Sequence, residues 1–193
     1  MSDYDQSVLN KSRSDKFILV MNLPTILKSL DKKLLRTSKN IQGDKLQFSV
    51  FGTIVPEIQV PAVEARYSGS TINISSHARP TYAPITLSFK IDNQFDNYWV
   101  LFTWLNLLRD QQEGVAGIVD ADRIISDRTI NLADYSSNIS VFGLDEFNQP
   151  RIEFKYIRAF PTSLAEINYD YTNPEQISSA CRFAFHEMNV NLC

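Results

Sequence analysis

Residues 85–109 read ITLSFKIDNQFDNYWVLFTWLNLLR, and the apolar period changes inside this stretch. Apolar and polar residues alternate over 85–91, which predicts a strand with one buried face. Over 93–109 the apolar residues recur at helical spacing, and Asp92 or Asn93 can cap the first turn. The stretch therefore predicts a half-buried strand followed at once by the one main helix of the chain.

The two tryptophans of this helix are five residues apart, so they do not share one narrow stripe. We expect Trp99 to lie in the core and Trp104 to face a partner or another element.

Upstream, the sequence predicts mainly strands. Pro56 and Pro61 exclude a central strand over 54–63, because proline cannot donate a ladder hydrogen bond, so this segment is predicted as an edge or a connecting arm. Residues 67–70 predict a turn, and 77–84 an irregular corner. The other predicted elements are a buried strand at 17–23, a short amphipathic helix at 25–36, and strands at 45–51 and 71–75.

Downstream, alternation returns and predicts a meander of strands. The predicted elements are strands at 139–144 and 151–156, a corner at 160–162, a strand at 164–171, and a final strand at 177–190. Strands, one helix and further strands indicate an α+β chain, mainly β, with an antiparallel sheet that curls into a barrel or sandwich.

The length of 193 residues suits one domain, which we assign to 17–193 behind a polar N-terminal arm at 1–16. Within that domain, 25–44 is interpreted as an insert and 111–136 as a long polar connector.

Composition excludes several classes of protein. Lys and Arg number 19 against 22 Asp and Glu, a net charge of −3 that argues against a general nucleic-acid binder. The apolar run at 17–21 is far shorter than the roughly 20 residues that span a bilayer. Two cysteines argue against a disulfide scaffold, and we expect Cys181 to be buried and Cys193 exposed. With no signal peptide, this predicts a protein kept in a cytoplasm-like compartment, away from membranes.

No catalytic or metal-binding pattern emerges from the sequence. Phosphate-binding and nucleophile-elbow motifs are missing, and neither His77 nor His186 stands at metal-ligand spacing. Asp120 and Asp122 supply at most half a cation site, and a solvated loop explains them better. The basic stretch 28–39 lacks an aromatic residue to stack a base, so a solvated helix face is the better interpretation. We therefore expect a protein that is not an enzyme, without a cofactor or metal.

The order of the segments resembles the tail tube protein of contractile-tailed bacteriophages of the T-even type. The resemblance covers roughly residues 45–190. Three stretches carry it: the strands and proline-broken arm of 46–91, the helix at 92–104 that ends in an aromatic residue, and the Pro-Thr corner with two closing strands at 160–188. The arm at 1–16, the insert at 25–44 and the connector at 111–136 depart from the family's pattern.

This resemblance implies a structural virion protein, a β-barrel subunit whose homohexameric rings stack into the inner tail tube. A tape-measure protein and later the passing genome would occupy the lumen, the DNA without specific binding. A contractile sheath would surround the tube, with baseplate tube and tail terminator proteins at its ends. Assembly would take place in the host cytoplasm. A charge of −3 per chain gives about −18 per ring of six, which we hypothesise keeps DNA from adhering.

The proline-broken arm is suited to reaching a neighbouring subunit. We expect ring stacking to use residues of the arm and the following corner, namely Glu64, Arg66, Tyr67, His77, Arg79 and Tyr82.

Two alternatives remain open. A baseplate tube, tube-initiator or secretion-system tube protein is close to the main reading, and the insert at 25–44 favours it slightly. A soluble β-barrel that binds a small apolar ligand is more remote, and it requires a large apolar cavity.

Overall fold

The computed structural model describes residues 11–29, 50–78, 80–109, 132–172 and 175–193. These ranges hold nine strands and three helices. The strands are β1 (Phe17–Met21), β2 (Val50–Thr53), β3 (Ala62–Tyr67), β4 (Ser70–Ser75), β5 (Ile85–Lys90), β6 (Ser137–Leu144), β7 (Pro150–Leu164), β8 (Ser178–Ala184) and β9 (Glu187–Leu192). The helices are α1 (Thr25–Ser29), α2 (Asp96–Arg109) and α3 (Leu132–Tyr135).

Seven strands form one sheet in the order β1-β6-β7-β8-β5-β2, with β9 also paired to β7, and every pairing is antiparallel. The sheet curls until its two end strands approach each other. Leu19 and Met21 of β1 line one small cavity together with Val50 of β2 and Leu101 of α2. The predicted mainly β, barrel-like fold with one main helix is confirmed.

The 15-residue strand β7 connects the two halves of this sheet. Its first part lies between β6 and β9, and its last part pairs with β8. The bend falls at Arg158, whose φ of 55° is left-handed and whose backbone N–H donates to the Asn138 side chain at 3.2 Å. The corner predicted at 160–162 is therefore wrong, because these residues continue β7 and contain only a bulge between Pro161 and Ser163.

The C-terminal prediction is partly wrong. Residues 165–170 do not form the predicted strand, since beyond Ala165 the chain leaves the ladder, and Asp170 forms a local turn by accepting from the N–H and hydroxyl of Thr172. The predicted final strand is two strands, β8 and β9, that lie one after the other along β7. His186 stands at the break between them, where its N–H donates to the Ile157 carbonyl at 3.0 Å.

One face of helix α2 packs on the sheet, where Val100, Leu101 and Trp104 join the core. Asp92 caps it as predicted, accepting from the backbone N–H groups of Asp96 at 2.8 Å and Asn97 at 3.3 Å. The helix starts three residues later than predicted because Phe95 has a φ of 60°, which is not helical.

The tryptophan prediction is reversed in the structure. Trp104 is fully buried, and its indole N–H donates to the Tyr135 carbonyl of α3 at 2.8 Å. Trp99 is only partly buried and contacts the Phe102 ring, with 5.4 Å between ring centroids. The carbonyl that accepts the Trp104 indole hydrogen bond is 31 residues away in the sequence, so a local pattern does not predict the burial of Trp104.

Several predictions extend beyond the described residues. Helix α1 begins at Thr25 as predicted, but the rest of the predicted helix at 25–36 and most of the strand at 45–51 lie outside them. So do most of the 1–16 arm and all but the end of the 111–136 connector, including Asp120 and Asp122.

Candidate subunit interface

Strands β3 and β4 form a hairpin that is a two-stranded sheet of its own. Its turn is the one predicted at 67–70. Ser68 and Gly69 have φ values of 48° and 83°, as a two-residue primed turn requires, and Ser70 Oγ donates to the Tyr67 carbonyl at 3.1 Å. Within the described ranges, neither strand pairs with the seven-stranded sheet.

This hairpin is amphipathic. In its register Val63 lies opposite Ile74, and Ala65 lies opposite Ile72. Opposed residues of an antiparallel pair place their side chains on the same face. The face formed in this way, here called the apolar hairpin face, consists of Val63, Ala65, Tyr67, Ile72 and Ile74.

The apolar hairpin face is largely exposed. Val63 and Ile74 are each 47% exposed, Ile72 is 42% and Tyr67 is 69%. Large exposed apolar surfaces on a folded chain mark sites of association. The opposite face is polar and carries Glu64 and Arg66.

The segment 54–61 connects β2 to this hairpin without regular secondary structure, which confirms the predicted connecting arm up to Pro61. Its apolar side chains are also exposed, with Ile54 at 63%, Ile58 at 64% and Val60 at 61%. Pro56 is buried and fixes the start of the arm against the domain. The arm and the hairpin together form a continuous projection with apolar side chains on its surface.

Of the six residues predicted for ring stacking, the structure brings three together on the hairpin. Glu64 and Arg66 lie on its polar face, and Tyr67 lies on its apolar face. Sequence reasoning missed Val63, Ile72 and Ile74. The signal was present, because a two-residue turn at 68–69 fixes which apolar residues share a face.

The other three predicted residues lie apart from the hairpin strands or outside the described ranges. His77 is exposed just after β4 with a φ of 54°, and its N–H donates to Ser75 Oγ at 3.2 Å, which agrees with the irregular corner predicted from residue 77. Tyr82 is half-buried and stacks on Phe185, with ring centroids 5.2 Å apart. Arg79 lies outside the described residues.

A second exposed apolar surface lies at one end of the main sheet. Ile152 pairs with Leu192 and Phe154 pairs with Val190, all on the face that continues into the core. Leu192 is 88% exposed and Val190 is 47% exposed. We call these four residues the β9 corner.

Several titratable groups with shifted pKa values lie in the main sheet and its turns. Asp145 closes the β6–β7 turn, where its carboxylate accepts from the N–H groups of Gln149 and Phe147 and pairs with Arg151 at 2.8 Å. These contacts, the Gln149 bond foremost, lower the pKa of Asp145. Burial raises the pKa of the Cys181 thiol to about 12, so this cysteine is a buried apolar residue as predicted, whereas Cys193 is exposed.

The described residues contain no group of three or more histidine, cysteine, aspartate or glutamate side chains placed to hold a metal ion. None of their helices is long and apolar enough to cross a membrane. The cavity inside the curled sheet has a volume of about 10 Å³, room for about one water molecule, whereas a pocket for an apolar ligand needs several hundred Å³. This cavity cannot serve the ligand-binding alternative.

Exposed apolar surfaces on a separate hairpin and on a sheet corner are typical of one class of protein, the subunit of a larger assembly. Comparison with protein families identifies it further. The model of the family described as phage tail tube protein matches residues 12–191, and the chain belongs to this family. It is a structural tail tube subunit. Comparison with curated protein sequences gives no significant match.

Solved structures of contractile injection systems have the same fold. A chain of the sheath-tube complex of the extracellular contractile injection system PVC aligns over 100% of this chain and 99% of its own, with a TM-score of 0.57 and 14% identity. A chain of the anti-feeding prophage tube terminating cap aligns over 100% of both chains, with a TM-score of 0.58 and 15% identity. A chain of the anti-feeding prophage baseplate has a TM-score of 0.54 and 11% identity, over 94% of this chain and 95% of its own.

Proposed function

We propose that this chain forms homohexameric rings that stack into the inner tube of a contractile tail, the conduit through which the genome leaves the virion. Membership of the phage tail tube family supports the tube, and the fold shared with a sheath-tube complex supports the contractile sheath around it. The proposed partners are further copies of the chain, the sheath, a tape-measure protein in the lumen, and baseplate and terminator proteins at the two ends. Assembly takes place in the host cytoplasm.

The exposed apolar hairpin face is the observation that carries this proposal. Its four large side chains are each more than 40% exposed in the single chain, although they have the β-branched or aromatic character of a buried sheet face. Such a surface marks a site on which a neighbour packs. We infer that the hairpin makes the contact between subunits through this face, and that Glu64 and Arg66 stand on the side of the hairpin that remains outside the contact. His77 and Arg79, which follow the hairpin in the sequence, remain proposed for the same contact on their position in the chain alone.

Charges close to an interface but not buried in it guide association more than they stabilise it. We therefore expect the double variant Arg66→Glu, Arg79→Glu to slow tube growth and to change its salt dependence without unfolding the subunit. Normal growth at all salt concentrations would remove both arginines from the contact.

Negative-stain electron microscopy of the purified chain over a range of concentrations tests the main proposal. We expect rings or hollow tubes with sixfold end views, in amounts that rise with concentration. A dispersed monomer at every concentration, even after addition of preformed tail baseplates, would contradict it.

The lumen proposal has its own test. A net charge of −3 per chain predicts that assembled tubes release DNA rather than retain it. A tight DNA complex that persists at high salt would contradict a repulsive lumen.

A single baseplate or initiator ring is the second candidate, because the fold is also shared with a baseplate chain and with a tube terminating cap. Copy number per particle separates the candidates. A main tube protein is present in many rings, and an initiator is present in one.

A further inference from the structure

We propose that the apolar hairpin face of one subunit docks on the β9 corner of a second copy, so that each chain is a donor at one end and an acceptor at the other. This inference rests on the proposed function, because it names the surface that receives the hairpin in the assembled tube. The acceptor is Ile152, Phe154, Val190 and Leu192.

The burial along the sheet shows that the β9 corner is an uncovered continuation of the core. In the row that crosses β6, β7 and β9 at Ile139, Tyr156 and Met188, the side chains are 0%, 0% and 8% exposed. One row further Val141 is still buried and Phe154 is partly buried, whereas Val190 is 47% exposed. In the last row Ile152 is partly buried and Leu192 is 88% exposed. The exposure of this apolar face therefore increases along β9 toward its C-terminal end.

A glycine in β6 allows the Ile152 side chain of the corner to lie close to the sheet. Gly143 lies opposite Ile152, and a Cβ atom added at Gly143 would lie 2.8 Å from Ile152 Cγ2. Ile152 therefore leans over the glycine instead of standing up from the sheet. A low corner gives a second sheet room to pack face to face, as apolar sheets do.

Donor and acceptor match in length and character. Strands β3, β4 and β9 each have six residues, and each presents apolar side chains on one face only. When the apolar hairpin face covers the corner, Glu64 and Arg66 remain on the far side of the hairpin. The charged side chains are then not buried, and no desolvation cost opposes the contact.

Both surfaces are exposed in the same chain, so the hairpin does not cover the corner of its own subunit. A second copy supplies the missing partner. Two different surfaces make a heterologous contact, which propagates into rings or stacks, whereas a hairpin packed on an identical hairpin would close a dimer and stop growth. A tube subunit needs the contact that propagates.

A complementation experiment with the full-length chain tests this pairing. Ile72→Asp damages the donor and Leu192→Asp damages the acceptor, since each buries a carboxylate in the contact. We expect each variant alone to need at least about tenfold more protein to assemble than the wild type. An equimolar mixture should form one-to-one heterodimers and no tubes, because the intact hairpin of the Leu192→Asp chain docks on the intact corner of the Ile72→Asp chain.

Matched controls place the same charge on the opposite faces. Asn73→Asp lies on the polar face of the hairpin, and Asn189→Asp lies on the other face of β9, opposite Lys155. Both should assemble at concentrations close to that of the wild type. Circular dichroism checks that all four variants fold.

Two outcomes would overturn the pairing while leaving the proposed function intact. One is a Leu192→Asp chain that assembles like the wild type. The other is a mixture of the two damaged chains that stays monomeric although each is folded. A wild-type chain that never assembles would instead overturn the proposed function, and the pairing with it.

Disulfide trapping provides a second measurement. Leu192→Cys, made together with Cys193→Ser, places an exposed thiol on the β9 corner, because the native Cys193 follows the alternation of β9 onto the opposite face. Ser70→Cys places a thiol on the row of the apolar hairpin face nearest the turn, and Asn73→Cys places one on the opposite face. Mild oxidation of assemblies that carry cysteines at 70 and 192 should give a bond between these residues of different copies, found by peptide mapping. Asn73→Cys in place of Ser70→Cys should form little of it. A bond joining residue 70 to residue 70 would show hairpins packed on each other and would overturn the proposal.

Discussion

Strand β5 and the β3–β4 hairpin carry the same kind of sequence and have opposite environments. In β5, Ile85, Leu87 and Phe89 alternate with polar residues and are 1%, 3% and 1% exposed. In the hairpin, Val63 and Ile72 alternate in the same way and are 47% and 42% exposed. Alternation identifies an apolar face, but it does not say whether the same chain or another one covers that face.

The difference lies in what packs above each strand. Helix α2 and the neighbouring strands supply a dry cover for β5, whereas the described part of the chain supplies none for the hairpin. The first region stabilises the subunit and the second stabilises the assembly. Substitutions should separate these two roles.

The largest effect is expected at the centre of the covered region. Trp104→Ala should lower the free energy of unfolding by about 3–5 kcal/mol, because it removes a fully buried ring and the indole bond to Tyr135. Trp99→Ala is the matched control on the same helix and should cost clearly less, since Trp99 is only partly buried. Urea denaturation of the two variants measures the difference. Equal losses would mean that α2 is rotated relative to the sheet.

A matched pair of aliphatic truncations tests the comparison directly. Leu87→Ala should cost about 2–5 kcal/mol of subunit stability. Ile72→Ala should cost less than about 0.5 kcal/mol in the dissociated chain, because its side chain is 42% exposed there. In assembly assays the order should reverse, with folded Ile72→Ala chains failing to form tubes at concentrations where the wild type does. A destabilised Ile72→Ala monomer would show that the hairpin packs on its own domain.

The helix cap should give a smaller and local effect. Asp92→Ala leaves the N–H groups of Asp96 and Asn97 without their carboxylate acceptor, and we expect a loss of about 1 kcal/mol. Asp92→Asn keeps an acceptor oxygen and should lose only part of that. Thermal melts of both variants provide the measurement, and a neutral Asp92→Ala would mean that solvent satisfies these groups equally well.

How far the sequence predicts this molecule depends on the range of the interactions. The strand at 85–91 and the Asp92 cap are set by residues close in sequence, and both predictions are confirmed. The burial of Trp104 depends on a carbonyl at Tyr135, and the bend of β7 depends on Arg158 bonding to Asn138, so neither follows from a local pattern.

In the candidate interface, too, some features follow from a local sequence pattern and others depend on pairing between distant residues. The turn at 67–70 is predictable from its Ser-Gly pair, and it places Tyr67 on the apolar hairpin face. Glu64 and Arg66 are indicated by their position in the sequence alone, whereas the apolar hairpin face is revealed only when the pairing of Val63 with Ile74 is known. The β9 corner is harder to predict, because the sequence of a strand end does not show where the residues that pack over the sheet stop.

The smallest predicted effect is the response to acid, which should differ between the β6–β7 turn of the main sheet and the β3–β4 turn of the hairpin. The β6–β7 turn of the main sheet depends on Asp145, whose folded-state pKa is lowered by the Gln149 N–H and by Arg151. A lowered pKa contributes stability above the unfolded pKa of about 4, and this contribution is lost as the pH falls through the folded value. The β3–β4 turn is formed by Ser68 and Gly69 and has no carboxylate of its own to protonate. Amide hydrogen exchange from pH 6 to pH 3 should therefore show opening at 145–151 before it shows added opening at 67–70.

Asp145→Asn is the control for this acid effect, because it keeps the acceptor oxygen and removes the charge. Its turn should be slightly less stable than the wild type at pH 6, and it should lose little further stability on acidification. If the wild type and Asp145→Asn respond to acid alike, then other carboxylates govern the response. Glu153 would be examined next, since its pKa is lowered by hydrogen bonds from Ser140 and Asn191 on the outer face of the same sheet. In either case acid should act on the 145–151 turn before it acts on the hairpin. Because this turn adjoins Ile152 of the β9 corner, mild acid should weaken the proposed acceptor while the donor hairpin remains formed.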